Sequence, residues 1–210
     1  MRHHGRASGG SRNNDIDAQL QITSGALVDT IVGIEMESVH QDEILQALWL
    51  ALSQFEEHAE FADLIPQVGT NMVYARPGAE SLGEVAGLSG RVIQSMGRPR
   101  VCGEVVYGGS THLGSAVLEA QRLNPRLRAA VNIRGRERIA EILREMGLEV
   151  VTLPPVRSEG CPVTDHLREA GEVRDAYYHP GAFAVEPTTT IFAEIPGRLV
   201  DILEGLSGRV

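Results

Sequence analysis

A glycine-rich turn between a predicted strand and a predicted helix carries the residues best suited to chemistry. Residues 101–107 are mostly apolar and rich in valine, which predicts a buried strand. Gly108, Gly109 and Ser110 follow as a sharp turn. Thr111 is then the predicted N-cap of a helix. The first N–H groups of a helix have no intrahelical partner and, together with the helix dipole, favour an anion. We therefore expect a phosphate-binding site at this turn.

Two side chains could act at that turn. His112 lies at the start of the predicted helix, and Arg91, on the preceding apolar segment, has a permanent positive charge that could reach the same place. A single histidine at a helix start is more often structural, and a single arginine more often forms a surface ion pair. Their convergence on one strand–turn–helix unit favours a shared site. Such a site would act by positioning and charge stabilisation.

Standard catalytic motifs do not fit this turn. His112 stands where the G-x-S-x-G nucleophile elbow of a serine hydrolase requires its second glycine. The spacing of Gly108, Gly109 and Gly114 is not the dinucleotide-binding G-x-G-x-x-G. No H-x-x-x-H or clustered carboxylate motif indicates a transition-metal site. All 19 basic residues are arginine, which excludes a lysine Schiff base and a P-loop lysine and leaves a side chain suited to phosphate.

Length and composition are those of an ordinary soluble protein, with 210 residues, 42% hydrophobic and 22% charged. We expect a disordered tail at residues 1–14 and a single domain at residues 15–210. The net charge is −9 and residues 13–75 contain no Arg or Lys, which argues against a nucleic acid partner. No apolar run approaches the roughly 20 residues of a membrane span, and no signal peptide is recognised. The expected location is the cytoplasm, where Cys102 and Cys161 would stay reduced.

Helical and strand-like segments alternate along the chain. This alternation predicts a three-layer α/β/α sandwich with a mixed, mostly parallel sheet. In such sheets, ligands collect at the carboxyl ends of strands. The predicted helices span residues 42–61, after a capping box at 38–41, and residues 111–123, 135–146, 162–170 and 196–206. The predicted strands span residues 90–94, 101–107, 129–134, 148–153, 175–179 and 188–193, with a further strand ending at residue 75.

Over residues 55–206 the chain resembles the ThiN-type thiamine-phosphate synthase domain family. The resemblance implies an α/β/α sandwich that joins hydroxymethylpyrimidine diphosphate to hydroxyethylthiazole phosphate, releasing pyrophosphate and thiamine phosphate. It is carried by five motifs in order: LIPQVGTNMVYA at 64–75, GRVI at 90–93, GGSTHLGSAVLEA at 108–120, AAVNIRG at 129–135 and G-x-x-x-x-E-P at 181–187.

The resemblance also implies roles for individual residues. The arginine and histidine that the family needs for activity correspond to Arg91 and His112. Arg134, at the end of a strand, is a candidate to grip the thiazole phosphate, and Asn71 and Asn132 are candidates to hydrogen-bond the aminopyrimidine. The expected substrate-binding set is Asn71, Gly108, Gly109, Ser110, Thr111, Asn132, Arg134, Gly181 and Glu186.

The resemblance implies a magnesium ion as well, since diphosphate usually binds one. Glu186 and Asp165 are the candidate ligands, although a structural role is the alternative for both. The apolar segment at residues 26–34 suggests a homodimer. The other expected partners are phosphorylated small-molecule substrates, with no membrane partner.

The C-terminal motif departs from the family pattern. The family usually reads G-x-x-G-K-E-P, whereas residues 181–187 read GAFAVEP, so Ala184 and Val185 replace the second glycine and the lysine. Two functions therefore remain open. One is a thiamine-phosphate synthase, a transferase. The other is a non-catalytic thiamine-phosphate-binding sensor domain of a regulator.

Overall fold

The computed structural model describes residues 42–155 and 160–210. The predicted tail at 1–14, the capping box at 38–41 and the apolar segment at 26–34 lie outside the described residues. Glu43–Val210 cluster as one unit. None of the helices in the two described ranges has the length and apolar character needed to cross a membrane.

The described chain alternates helices, strands and two short 3-10 turns. The helices are α1 (Glu43–Glu57), α2 (Thr111–Leu123), α3 (Glu137–Glu145), α4 (Pro162–Ala170) and α5 (Pro196–Ser207). The 3-10 turns are Ala59–Leu64 and Leu82–Glu84. The strands are β1 (Met72–Ala75), β2 (Val85–Leu88), β3 (Arg91–Ser95), β4 (Arg98–Cys102), β5 (Val105–Tyr107), β6 (Ala129–Arg134), β7 (Val150–Thr152), β8 (Ala176–His179) and β9 (Thr188–Ala193).

Seven strands form one mixed sheet in the order β5-β2-β1-β6-β9-β8-β7. The prediction of a mostly parallel sheet was wrong, because only β7 and β8 pair in parallel and the other five pairings are antiparallel. A parallel pair needs a crossover between its strands, and α4 supplies one between β7 and β8. Although α3 connects β6 to β7, these strands are not neighbours, since β9 and β8 lie between them.

Helices cover both faces of the sheet, which confirms the α/β/α sandwich. Successive strand residues point to opposite faces, so Met72 and Tyr74 belong to one core cluster and Val73 and Ala75 to another. The first cluster includes buried residues of α1, α3 and α5. The second includes buried residues of α2 and α4.

The predicted strand at 101–107 is two strands in two different sheets. β4 ends at Cys102 and pairs only with β3, while β5 is an edge strand of the large sheet. The chain passes between them at Gly103, whose φ is +104°, and Gly103 packs against Gly90 at the β2–β3 connection. A side chain on Gly90 would collide with the carbonyl of Cys102, so this close approach requires glycine. The boundary between β4 and β5 depends on this contact between distant residues, and the valine content of residues 101–107 could not predict it.

Two leucines on α1 offer a test of this packing. Leu48 is completely buried, whereas Leu50 is 49% exposed. Leu48→Ala should lower the free energy of unfolding by about 2–5 kcal/mol, because it removes buried apolar area and leaves a cavity. Leu50→Ala should lower it by less than about 1 kcal/mol. Denaturant unfolding measures both variants, and equal losses would contradict this orientation of α1.

Candidate active site

The main chain of residues 65–71, here called the pre-β1 loop, is held by side chains from distant parts of the sequence. Arg134, the last residue of β6, donates hydrogen bonds from Nε and Nη2 to the carbonyl oxygen of Ile65, at 3.2 and 2.8 Å. The first residue of the loop is therefore fixed to the carboxyl end of β6. Because β6 pairs antiparallel with both β1 and β9, the amino ends of those two strands lie at the same end of the sheet.

Glu186 holds the next part of the pre-β1 loop. Its Oε1 accepts a hydrogen bond from the Gln67 N–H at 2.7 Å, and its Oε2 accepts one from the Val68 N–H at 2.9 Å. A carboxylate that accepts two successive main-chain N–H groups makes charge-assisted bonds, which are stronger than neutral ones. Glu186 thus ties the β8–β9 connection to this loop.

Asn132 and Asn71 join the end of the pre-β1 loop to the sheet. Asn132 accepts from the Asn71 N–H at 2.7 Å and donates to the Gly69 carbonyl at 3.0 Å. The Asn71 amide accepts from the Leu88 N–H at 3.1 Å and donates to the carbonyls of Leu88 at 3.0 Å and Gly90 at 3.3 Å. Both amides therefore order the main chain, and their contact with an aminopyrimidine stays a prediction.

Arg91 lies against the same loop. Gly69 has a φ of +81°, and a methyl group placed on it would lie 2.8 Å from Cβ of Arg91. Thr70 and Val92 exchange two main-chain hydrogen bonds, at 2.8 and 2.9 Å. The Arg91 guanidinium donates from Nη1 to the Gly90 carbonyl at 2.7 Å. Contacts on the stem, the main chain and the head group together set the position of Arg91.

The structure contains the predicted glycine turn before α2, but the N-cap of the helix lies one residue earlier than predicted. Ser110 is the N-cap and Thr111 is the first helical residue, so the assignment of Thr111 as the cap was wrong. Gly108 has a φ of +74°, and a side chain on Gly109 would collide with the carbonyl of Gly87. The chain can turn into α2 only because β2 and the turn approach with no side chain between them.

The start of α2 has the properties of an anion-binding helix terminus. Ser110 is only 7% exposed and makes no side-chain capping hydrogen bond, and the first turn contains no acidic residue. His112 is exposed in that turn. Arg91 follows Gly87 by four residues, which span at most about 14 Å when extended. Gly87 contacts Ser110 in the turn before α2, so β2 packs against the start of the helix that carries His112, and Arg91 follows β2 in the chain.

The charges of Arg91 and Arg134 are not neutralised within the described parts of the chain. Both side chains donate to main-chain carbonyls, and neither has a carboxylate oxygen of a described residue within 4.0 Å. By contrast, Arg138 and Arg174, on the surface, each contact two carboxylates. The two site arginines thus leave positive charge available to an anion.

The loop at residues 180–187 carries the departure from the family pattern. Gly181 has a φ of +87°, and a methyl group there would lie 2.8 Å from the carbonyl oxygen of Val185. Ala184 also has a left-handed conformation, with a φ of +59°, at the position where the family usually has glycine. Ala184 therefore adopts a conformation that glycine tolerates better than alanine.

The candidate magnesium ligands lie in different settings. Both carboxylate oxygens of Glu186 bind main-chain N–H groups, and Asp165 lies on α4, 3.9 Å from the guanidinium of Arg168. Within residues 42–155 and 160–210 there is no group of three or more His, Cys, Asp or Glu side chains placed to hold a metal ion. The described residues therefore do not form a magnesium cage of their own.

The substrate-binding set predicted from the sequence omitted Gly69. Its importance comes from its contact with Arg91, and the sequence signal for it was a single glycine just before a predicted strand. Gly135 is a similar case, because it packs directly on Pro187 and Thr188 and joins β6 to the motif at residues 181–187.

The 3-10 turn Leu82–Glu84, which packs on α2, has a capping box of its own. Glu84 accepts hydrogen bonds from the N–H groups of Glu80 and Ser81 and from the Ser81 hydroxyl, each at 3.0 Å. The bond from the Glu80 main chain, followed by those from Ser81, lowers the pKa of Glu84. The 3-10 turn that ends at Glu84 packs on α2, since a methyl group on Gly114 would lie 2.8 Å from Cδ2 of Leu82.

Comparison with known proteins relates this geometry to a described family. Residues 47–204 match the family model described as thiamine-phosphate synthase ThiN. Thiamine-phosphate synthase ThiN of Methanothermobacter thermautotrophicus is 31% identical over 148 residues, covering 65% of this chain and 78% of that protein. The bifunctional thiamine biosynthesis protein ThiDN of Methanocaldococcus jannaschii is 32% identical over 83 residues, covering 39% of this chain and 20% of that protein.

A solved structure has the same fold. The crystal structure of the C-terminal domain of a phosphomethylpyrimidine kinase superposes with a TM-score of 0.68 and 32% sequence identity. The superposition covers 78% of this chain and 97% of that domain.

Ala184→Gly should stabilise the protein by about 1 kcal/mol, because glycine adopts a positive φ without the steric cost of a Cβ atom. Ala182→Gly, two residues earlier and without a positive φ, is the matched control. It should destabilise by about 0.5–1 kcal/mol, since glycine has more freedom in the unfolded chain. Denaturant unfolding measures both variants, and a loss of stability in both would contradict the left-handed conformation of Ala184.

Glu84→Gln should lower the melting temperature at pH 7 and have less effect in acid. The pKa of Glu84 in the folded protein lies below its ordinary value of 4.5. Its stabilising contribution is therefore complete above that value and is lost as the pH falls through the lower, folded-state pKa. Melting curves of wild type and variant from pH 7 to pH 3 test this, and a difference that grows in acid would refute it.

Proposed function

The chain belongs to the thiamine-phosphate synthase ThiN family, and from this premise we propose that it condenses hydroxymethylpyrimidine diphosphate with hydroxyethylthiazole phosphate. The products are thiamine phosphate and pyrophosphate. The family matches support a role in thiamine biosynthesis. The single observation that carries the proposed reaction is that Arg91, which the family resemblance matches to the arginine needed for activity, has no carboxylate partner among the described residues.

The proposed reaction breaks one bond and forms another at the pyrimidine methylene carbon. The carbon–oxygen bond to the diphosphate breaks, and the thiazole nitrogen supplies the electron pair for the new carbon–nitrogen bond. Negative charge grows on the departing pyrophosphate. Arg91 and the first N–H groups of α2 stabilise that charge, because they are cationic or dipolar groups fixed before the reaction. His112 donates a hydrogen bond or a proton to the pyrophosphate.

Arg134 is proposed to bind the phosphate of the thiazole substrate. Its Nε and Nη2 are held by the Ile65 carbonyl, and its Nη1 makes no hydrogen bond to a described residue. The guanidinium is therefore oriented in advance and retains a donor for a phosphate oxygen.

Magnesium is proposed to arrive with the diphosphate substrate. Mg²⁺ usually keeps several waters and binds through substrate phosphates and one or two carboxylates, which does not require a protein-built cage. A bound ion would neutralise phosphate charge. The roles given above to Arg91, His112 and Arg134 do not depend on it.

A sensor domain that binds thiamine phosphate without turnover is the second candidate function. The observation that favours it is the motif at residues 181–187, where Val185 replaces the lysine and Ala184 replaces a glycine in a left-handed position. A DNA-binding role is not favoured, since residues 13–75 contain no Arg or Lys.

We propose a cytoplasmic location for the protein, where Cys102 and Cys161 would stay reduced and free.

Arg91→Ala and His112→Ala should each reduce pyrophosphate release about 100-fold or more, because each removes a group that acts on the leaving diphosphate. Steady-state assays with both substrates and magnesium measure this. Arg98→Ala is the matched control, since Arg98 is exposed on β4, in the same hairpin as Arg91. It should retain activity within about twofold.

Circular dichroism must show that all three variants are folded. Loss of activity in Arg98→Ala equal to that in Arg91→Ala would contradict a specific role for Arg91. Wild-type protein that binds thiamine phosphate but releases no pyrophosphate would refute the synthase and support the sensor domain.

A further inference from the structure

We propose that Glu186 is a positioning residue for Arg91 and acts on it through the pre-β1 loop. This inference rests on the proposed function, in which Arg91 stabilises the departing pyrophosphate. Glu186 forms no ion pair with Arg91 in the described structure, and the contacts that link the two residues run through the pre-β1 loop.

The first step is the attachment of Glu186 to a closed turn. Its two oxygens accept the N–H groups of Gln67 and Val68, at 2.7 and 2.9 Å. The turn itself is closed by a hydrogen bond of 2.9 Å from the Gly69 N–H to the Pro66 carbonyl. One carboxylate therefore fixes two of the N–H groups inside a four-residue turn.

The second step is the contact between that turn and Arg91. Gly69, the last residue of the turn, leaves no room for a methyl group beside Cβ and Cγ of Arg91, at 2.8 and 3.1 Å. Thr70 then exchanges two main-chain hydrogen bonds with Val92, the residue after Arg91. A shift of the turn must therefore move the stem of Arg91, its main chain or both.

The third step is the effect on catalysis. A displacement of about 1 Å at a group that acts on the transition state can lower the rate about 100-fold. Because Arg91 acts on charge that grows as pyrophosphate leaves, its displacement should lower kcat more than it raises KM. Gln at position 186 keeps one accepting oxygen and replaces the other with an N–H₂ group that cannot accept from the second N–H.

The experiment uses the whole chain, labelled with ¹⁵N, and compares Glu186→Gln with wild type. The readouts are the Nε–Hε resonance of Arg91, identified by its absence in Arg91→Ala, and the values of kcat and KM. Glu194→Gln is the matched control, because Glu194 is 52% exposed and its recorded partner is the surface residue Arg126.

Glu186→Gln should shift or broaden the Arg91 Nε–Hε resonance and lower kcat about tenfold or more, with KM changed by less than about threefold. Glu194→Gln should leave the resonance and both constants unchanged. If Glu186→Gln does not fold, the same measurements on Glu186→Asp decide, since aspartate keeps the charge and is shorter by one methylene.

An Arg91 resonance that stays in place while the Gln67 and Val68 amide resonances move would overturn the proposal, because the turn would then not act on Arg91. A lower kcat explained by a smaller folded fraction, with Arg91 unmoved, would overturn it as well. If the Arg91 resonance responds but wild-type protein shows no turnover, the positioning role stands and the synthase assignment fails.

Discussion

The hydrogen bonding of the pre-β1 loop is the constraint on which the candidate site depends. Main-chain N–H and C=O groups that are shielded from water need hydrogen-bond partners. A loop outside the sheet has few main-chain groups to pair with, so side chains must supply these partners. Here Arg134 and Asn132, both on β6, supply partners for the buried Ile65, Gly69 and Asn71, and Glu186 in the β8–β9 connection binds the exposed N–H groups of Gln67 and Val68. These side chains are of the kinds that bind ligands, yet most of their hydrogen bonds hold the protein together.

The charged groups and N–H donors that have no partner of opposite charge within the described residues determine which ligands the site can bind. Arg91 and Arg134 are cations without a carboxylate partner among the described residues, and the start of α2 has N–H groups with no acidic residue in its first turn. His112 is exposed beside those N–H groups. In a protein with a net charge of −9, cationic groups without a carboxylate partner are suited to phosphorylated substrates. The family match agrees with this chemistry.

Local patterns predicted single elements well, and long-range pairing explains the errors. The bounds of β6, β9 and α4 were predicted correctly, because each has a strong periodicity and a clear stop signal. The prediction of a mostly parallel sheet was wrong. β9 comes much later in the sequence than β6 and pairs with it antiparallel, and local patterns cannot predict such a pairing. In the site, Glu186 and Gln67 are 119 residues apart, so sequence could identify the carboxylate and not its partner.

The proposed reaction requires the departing pyrophosphate to bind between Arg91 and the start of α2. A crystal structure of the full chain with thiamine phosphate and pyrophosphate tests this requirement most directly. We predict pyrophosphate oxygens within hydrogen-bond distance of the Arg91 guanidinium and of main-chain N–H groups in the first turn of α2. Pyrophosphate bound elsewhere, with the Arg91 guanidinium in contact only with the Gly90 carbonyl, would contradict it.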